Sequence, residues 1–151
     1  MAGDEVLVAP NILEYPYKRT VGPIIGRFLT GLRERRIEGI RATDGRVLCP
    51  PVEYDPANGE SLTEDAFVPL ADTGTVTTWT WVGRPREEHP LDHPFAFALI
   101  QLDGADTGML HAVDAGERSE MRTGMRVRAH WRDEREGAIT DICCFKPEQD
   151  A

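Results

Sequence analysis

The chain has few cysteines, few aromatic residues and no excess of positive charge. It contains 3 Cys in 151 residues, 7% aromatic residues and a formal net charge of −9. The absence of paired cysteine spacing excludes a disulfide framework and favours a reducing, cytoplasmic location. The acidic balance argues against a general binder of nucleic acid or anionic membranes, since such proteins neutralise phosphate with Lys and Arg. No apolar run approaches the ~20 residues of a membrane-spanning helix.

Residues 41–59 carry the turn scaffolding of a zinc ribbon without its ligands. Such a ribbon has the pattern C-x-x-C-G, a strand with Pro-Pro, and then C-P-x-C-G. The scaffolding residues here are Gly45, Pro50, Pro51, Pro56 and Gly59. The four ligand positions hold Arg41, Asp44, Asp55 and Asn58.

The residues at these four positions predict a metal-free ribbon. A tetrahedral zinc site needs thiolate or imidazole ligands, and the cationic Arg41 would repel the ion. We therefore expect no zinc. Asp44 and Asp55 can instead accept backbone N–H bonds, as in Asx turns, and Arg41 is expected to pair with either carboxylate.

The N-terminal part of the chain, residues 1–38, is predicted to be an arm followed by a helix. Up to about Leu13 no periodicity is visible, which is typical of a flexible or partner-contacting arm. Tyr15 and Tyr17 either anchor in a groove of a partner or pack on their own domain. From residue 22 to 36 apolar residues recur at helical steps, Phe28 among them. This stripe must be buried against the domain or against a partner subunit.

The C-terminal part, residues 66–148, is predicted to be an OB-fold, and residues 39–65 form the ribbon-like segment before it. After a short strand at 66–70 come five alternating runs, over residues 74–82, 95–102, 108–113, 125–132 and 138–145. Five such strands, with a long connection after the first, predict a mainly β protein with a small closed barrel. Trp79 and Trp81 share one face of their strand, where they stack a ligand, pack the barrel or form an interface.

No arrangement of residues recommends catalysis or metal binding. His89 and His93 have the spacing of a helical metal motif, but the prolines beside them disfavour a helix. Cys143 and Cys144 are adjacent in a strand, so their side chains point to opposite faces. No nucleophile elbow, phosphate-binding glycine loop or pair of carboxylates stands out.

The order and spacing of several segments resemble a known family. The segments are Gly74–Val82, His93–Gly104, Gly124–Arg128 and Phe145–Pro147. Together with the helix and the ribbon frame, they are similar to the OB-fold acyl-CoA-associated proteins, domain of unknown function 35. In that family a helix leads to a rubredoxin-like zinc ribbon and an OB-fold. The missing ribbon cysteines place this chain with a zinc-less subgroup.

The resemblance implies a non-catalytic companion of a thiolase-superfamily enzyme. The subgroup it looks like pairs with a lipid-transfer-protein-type aldolase, which cleaves a β-hydroxyacyl-CoA in bacterial steroid side-chain degradation. A heterotetramer is implied, with a MaoC-like hydratase as a further domain or subunit. The first residues, 1–4, are compatible with a standalone protein or with a piece of such a hydratase fusion.

The candidate site residues are chosen by their residue types. The resemblance implies that a CoA thioester is the substrate of the complex, and no cofactor is expected on this chain. Arginine matches phosphate geometry, which makes Arg41, Arg46, Arg84 and Arg86 the candidates for CoA. The candidates for the partner interface are Tyr15, Tyr17, Phe28, Tyr54, Trp79 and Trp81. Two alternatives stay open: a free-standing acyl-CoA carrier, and an OB-fold nucleic-acid binder that uses the two tryptophans.

Overall fold

The computed structural model describes residues 6–148. Residues 6–21 are exposed and form neither helix nor strand. The predicted arm therefore extends as far as the first helix, while its residues 1–5 lie outside the described part of the chain.

The single α-helix within residues 6–148, α1, spans Pro23–Arg33 and so ends earlier than the predicted residue 36. Pro23 suits the first turn because its missing N–H would have no helical partner. No side chain of the N-cap residue caps the helix; instead the N–H of Ile25 donates to the Glu53 carboxylate at 3.0 Å, where negative charge favours the helix dipole. The helix ends where Arg35 takes a left-handed φ of 58°.

A three-stranded antiparallel sheet follows the helix. Its strands are β1 (Ile37–Arg41), β2 (Val47–Leu48) and β3 (Phe67–Leu70), in the order β2-β1-β3. Strand β3 lies at the predicted boundary between the ribbon and the barrel, and it pairs with β1 over its whole length rather than with a barrel strand.

The barrel contains the five strands that follow. They are β4 (Thr73–Val82), β5 (Phe95–Leu102), β6 (Gly108–Val113), β7 (Arg126–Trp131) and β8 (Ile142–Pro147). The barrel closes in the order β4-β5-β6-β8-β7, and only the β6–β8 pair is parallel. The predicted mainly β fold with a five-stranded OB-type barrel is confirmed.

The last strand begins later than its alternating pattern predicts, because Asp141 holds the preceding residues in a turn. Its buried carboxylate accepts the backbone N–H groups of Glu136, Gly137 and Ala138 at 3.0, 2.8 and 3.2 Å. These bonds hold the pKa of Asp141 below its ordinary value, although burial acts the other way.

The apolar stripe of α1 is buried within the chain itself. Phe28 and Leu32 join the main cluster of the barrel, which includes Val76, Ile100 and Phe145. The Phe28 side chain is only 3% exposed, and burial of a phenylalanine contributes about 2–3 kcal/mol to folding. The prediction of Phe28 as a partner contact is therefore wrong, since the domain's own core occupies its surface.

Polar contacts tie the ribbon and the helix to the barrel. The N–H of Val47 donates to the Asp106 carboxylate at 2.8 Å, and the N–H of Asp106 donates to the Val47 carbonyl at 2.8 Å. The N–H of Cys49 donates to the Thr107 hydroxyl at 2.8 Å. At the helix C-terminus, Arg33 donates to the Glu136 carbonyl at 2.9 Å. The three parts form one packed unit.

Candidate partner interface

The two turns of the ribbon are joined by hydrogen bonds between Thr43 and two of the four ligand positions of a zinc ribbon, Asp55 and Asn58. Asp55, which is 1% exposed, accepts from the N–H of Thr43 at 2.7 Å and from its hydroxyl at 2.6 Å. The same carboxylate accepts the N–H of Ala57 at 2.8 Å. Asn58 donates to the Thr43 hydroxyl at 3.1 Å. We call Thr43, Asp55 and Asn58 the ribbon clasp.

The clasp determines the charge state of its carboxylate. The hydroxyl and N–H of Thr43, and then the N–H of Ala57, hold the pKa of Asp55 below its ordinary value. Asp55 is thus anionic at neutral pH. Glycines complete the turns, with φ of 89° at Gly45 and 75° at Gly59, a conformation that other residues rarely adopt.

The partner predicted for Arg41 is wrong. Its guanidinium donates to the Gly45 carbonyl at 3.0 Å rather than to Asp44 or Asp55. Asp44 instead accepts the N–H and the guanidinium of Arg46 at 3.0 and 2.8 Å. Asp44 thus pairs with Arg46, two residues further along the chain, and the N–H of Arg46 closes the Asx turn.

No group of three or more His, Cys, Asp or Glu within residues 6–148 is arranged to hold a metal ion. His93 contacts Asp92 at 3.0 Å and Asp114 at 3.3 Å, and these carboxylates raise its pKa. His89 accepts the N–H of Arg86 at 2.9 Å and packs edge-on against Phe95. The two histidines thus face different partners despite their spacing.

The four arginines predicted to bind CoA lie on two different elements. Arg41 and Arg46 flank the first ribbon turn, while Arg84 and Arg86 are exposed on the connection between β4 and β5. Arg46 is partly neutralised by Asp44. The assignment of these four residues to CoA stays a prediction.

The N-terminal arm exposes a series of large apolar side chains. Its large side chains are at least half exposed, in Val6, Leu7, Val8, Ile12, Leu13, Tyr15, Tyr17 and Val21. Tyr54 on the ribbon is also 63% exposed. Exposed apolar surface of this extent marks sites of interaction, so Tyr15, Tyr17 and Tyr54 are placed where a partner can reach them.

Trp79 and Trp81 are partly buried against the main core. Their shared face is therefore used mainly for barrel packing, which was one of the open alternatives. The part of each ring that the core covers is not open to the base stacking that single-stranded nucleic acids need.

An apolar surface on the barrel was missed in the sequence. Leu99 and Leu110 face each other across β5 and β6 and are 39% and 61% exposed. Beside them, a cavity of about 180 Å³ opens between β6 and β8. The sequence feature that could have predicted this surface is a leucine at an outward position of β5 and of β6, where the alternation of a strand favours polar residues.

The geometry defines an OB-fold domain that carries a helix, a ribbon held by hydrogen bonds and an exposed apolar arm. Residues 67–132 match the family model described as ChsH2, C-terminal OB-fold domain. No curated protein matches the chain significantly. No helix among residues 6–148 is long and apolar enough to cross a membrane.

Several solved structures share this fold, including two of DUF35 proteins. One is an Ltp2-ChsH2(DUF35) aldolase, with a TM-score of 0.61 and 18% identity, and the match covers 86% of this chain and 98% of that one. The other is a DUF35 protein of unknown function from Sulfolobus solfataricus, with a TM-score of 0.57 and 22% identity over 72% of this chain and 78% of that one. Together with the match of residues 67–132, they support the predicted resemblance: the chain has the OB-fold of these DUF35 proteins.

Proposed function

We propose that this chain is a non-catalytic accessory subunit of a thiolase-like aldolase of the lipid-transfer-protein type. The observation that carries the proposal is the exposed apolar arm. The fold likeness supports it, since the match spans 98% of a chain in the structure named Ltp2-ChsH2(DUF35) aldolase. The arm has no partner within residues 6–148, and burial against a second protein would remove its apolar surface from water.

The proposed complex cleaves a β-hydroxyacyl-CoA by retro-aldol chemistry in steroid side-chain degradation. The catalytic groups belong to the thiolase-like subunit, and this chain stabilises that subunit and helps to shape its acyl-CoA tunnel. A heterotetramer in the cytoplasm is the proposed assembly, and the three free cysteines are compatible with a reducing compartment. A MaoC-like hydratase is its proposed neighbour in the reaction sequence, because hydration of an enoyl-CoA supplies the β-hydroxyacyl-CoA.

Co-expression tests the proposal. A candidate thiolase-type subunit is expressed alone, with this chain, and with a Tyr15→Ser/Tyr17→Ser variant. We expect the partner to be soluble and to cleave β-hydroxyacyl-CoA only with the unmodified chain, and co-purification to fall at least tenfold with the variant. Asn11→Ser/Glu14→Gln is the matched control, because it changes polar residues of the same arm.

Two outcomes contradict the proposal. One is a partner that is equally soluble and active without this chain. The other is tight binding of acyl-CoA by the isolated chain in calorimetry together with no association with the partner, because that combination describes a free-standing carrier.

A further inference from the structure

The gap between β6 and β8 forms an apolar pocket that is open to solvent on one side. The two strands run parallel and pair only at Val113 and Phe145, so the rest of β6 diverges from the turn before β8. The gap holds a cavity of about 180 Å³. Phe97, Ala112 and Ile142 are among the residues that line it, and Cys143 and His111 form part of its wall.

The size and lining of this cavity fit one apolar ring. An enclosed apolar cavity of about 150 Å³ is large enough to bind benzene, so the volume of this more open pocket is sufficient for one ring. The lining here is similarly apolar, with Phe97 on one side and Ile142, which is fully buried, on the other. A ring placed there would leave water and contact side chains that already form part of the barrel.

The histidine in the wall is neutral and offers no charge to a ligand. The Nδ1 atom of His111 accepts the N–H of Ala112 at 2.9 Å, and its Nε2 faces the Ile139 carbonyl at 3.4 Å. Burial lowers the pKa of this imidazole. Both nitrogens are engaged within the fold, so the inner part of the cavity favours an uncharged group.

Arg132 lies at the mouth of the cavity, and only one nitrogen of its guanidinium has a hydrogen-bond partner within residues 6–148. Arg132 donates from Nε to the Thr140 carbonyl at 2.6 Å, which fixes the side chain against the turn before β8. Within residues 6–148 its terminal nitrogens have no hydrogen bond and it forms no ion pair, unlike Arg126 and Arg128 on the same strand.

The charges around Arg132 are mixed. Glu134, Glu136, Asp141 and Arg135 lie beside it around a second, polar cavity. Three carboxylates and one further guanidinium do not attract anions in general. A guanidinium fixed at the mouth instead selects an anion by direct, charge-assisted hydrogen bonds.

We propose that the β6–β8 gap binds a small carboxylate that carries one apolar ring. The ring occupies the cavity between Phe97 and Ile142, and the carboxylate accepts hydrogen bonds from Arg132. This site is separate from the arm and does not depend on the proposed aldolase complex.

Cys143 lines the cavity, so the rate at which its thiol is alkylated reports on whether a ligand is bound there. It is the only one of the three cysteines that is not fully buried, and burial raises the pKa of Cys49 and Cys144 to about 12. The neutral reagent iodoacetamide should therefore alkylate Cys143 first, since the thiolate is the reactive form. Mass spectrometry follows that rate with benzoate, benzamide and acetate as probes.

We expect saturating benzoate to slow alkylation at least fivefold, benzamide to bind about tenfold more weakly than benzoate, and acetate to give no protection. A tenfold difference corresponds to about 1.4 kcal/mol, the range of one hydrogen bond to a charged group. Arg132→Gln should abolish the preference for benzoate over benzamide, and Arg132→Lys should keep part of it.

Equal protection by acetate and benzoate, or no protection by either, would overturn the proposal. So would an unchanged preference in Arg132→Gln. Ala112→Leu, which fills the cavity, should abolish the protection. Because that variant can perturb folding, fluorine NMR of 4-fluorobenzoate with the unmodified chain provides a second readout, and unbroadened lines at millimolar protein would contradict the site.

Discussion

Thr43 and Asp55 join the two turns of the ribbon through a pair of hydrogen bonds to one carboxylate oxygen, at 2.7 Å from the N–H and 2.6 Å from the hydroxyl. They lie 12 residues apart in sequence, so the contact closes a loop as a shared metal ion would. The Thr43 hydroxyl also accepts from Asn58. The ribbon clasp thus joins two of the ligand positions in the second turn to Thr43 in the first turn, next to the ligand position Asp44.

The first prediction concerns the carboxylate of the clasp. Asp55→Ala should lower the Tm by about 5 °C or more, because the N–H groups of Thr43 and Ala57 lose their acceptor inside the fold. Asp44→Ala is the matched control. It removes an exposed carboxylate from the same ribbon and should change the Tm by about 1–2 °C at most. Thermal unfolding at pH 7 measures both, and equal losses would contradict the role of the clasp.

The second prediction concerns metal. Since hydrogen bonds replace the ligands, incubation with EDTA or 1,10-phenanthroline should leave the Tm unchanged within error. Elemental analysis of protein purified without a metal-affinity step should find far less than one zinc per chain. One stoichiometric zinc, or unfolding by the chelator, would contradict a metal-free ribbon.

The third prediction concerns Glu38, a carboxylate that is nearly buried in β1. Arg27 donates to it at 2.9 and 3.3 Å, and Arg36 approaches it at 3.4 Å. The hydrogen bond from Arg27 is the main reason that its pKa lies below the ordinary value. Its stabilising effect is therefore present above the unfolded pKa and is lost as the pH falls through the folded pKa.

Glu38→Gln should reduce the free energy of unfolding at pH 7 by about 1–2 kcal/mol, less than for a fully buried pair because Arg27 is partly exposed. Glu34→Gln, which removes the exposed partner of Arg36, is the control and should cost no more than about 0.5 kcal/mol. Urea unfolding measures both variants. If they are equally stable, the Glu38 pair has no special role.

The sequence allowed the prediction of every element with a visible period. The first four strands of the barrel form close to their predicted positions, while the last strand begins four residues later and the helix ends three residues earlier than predicted. The pattern could not identify what covers each face, because burial depends on distant parts of the chain. Phe28 was assigned to a partner although the barrel buries it, and β3 pairs with β1 rather than the barrel.

The contacts of the candidate sites were less predictable. The acceptor of Arg41 is a carbonyl set by the φ angle of Gly45, which residue types alone do not reveal. The β6–β8 gap arises from the way the barrel closes, since two strands that are not consecutive diverge there. In the sequence, only the outward leucines, Leu99 and Leu110, indicate an apolar surface near this gap.

The fourth prediction uses two glycines whose substitution should have opposite effects. A Cβ on Gly39 would lie 2.9 Å from the Leu48 carbonyl oxygen and 2.8 Å from Val47, because β1 is closely packed between its neighbours. Gly39→Ala should destabilise the fold by about 1–3 kcal/mol.

Gly26 lies inside α1, and the nearest atom to an added Cβ is 3.5 Å away, on Val21. Gly26→Ala should stabilise the fold by about 0.5–1 kcal/mol, because alanine loses less backbone entropy in a helix. Chemical denaturation tests the pair. A stabilising Gly39→Ala would mean that the ribbon sheet is not closely packed.

The last prediction is a dependence on pH that originates from His111. Burial holds its folded pKa below the ordinary 6.5, so the unfolded chain binds a proton first as the pH falls. Its contribution to stability should decline below pH 6.5 by up to about 1.4 kcal/mol per pH unit, until the folded pKa is reached.

His93 acts in the opposite direction, because Asp92 and Asp114 raise its pKa and its stabilising effect is lost as the pH rises through that value. The measurement is therefore urea unfolding between pH 5 and 8 in a His93→Asn background, with and without His111→Gln. The glutamine can replace both hydrogen bonds of the imidazole without titrating, so the slope below pH 6.5 should flatten in that variant. An unchanged slope would mean that His111 is not buried as a neutral ring.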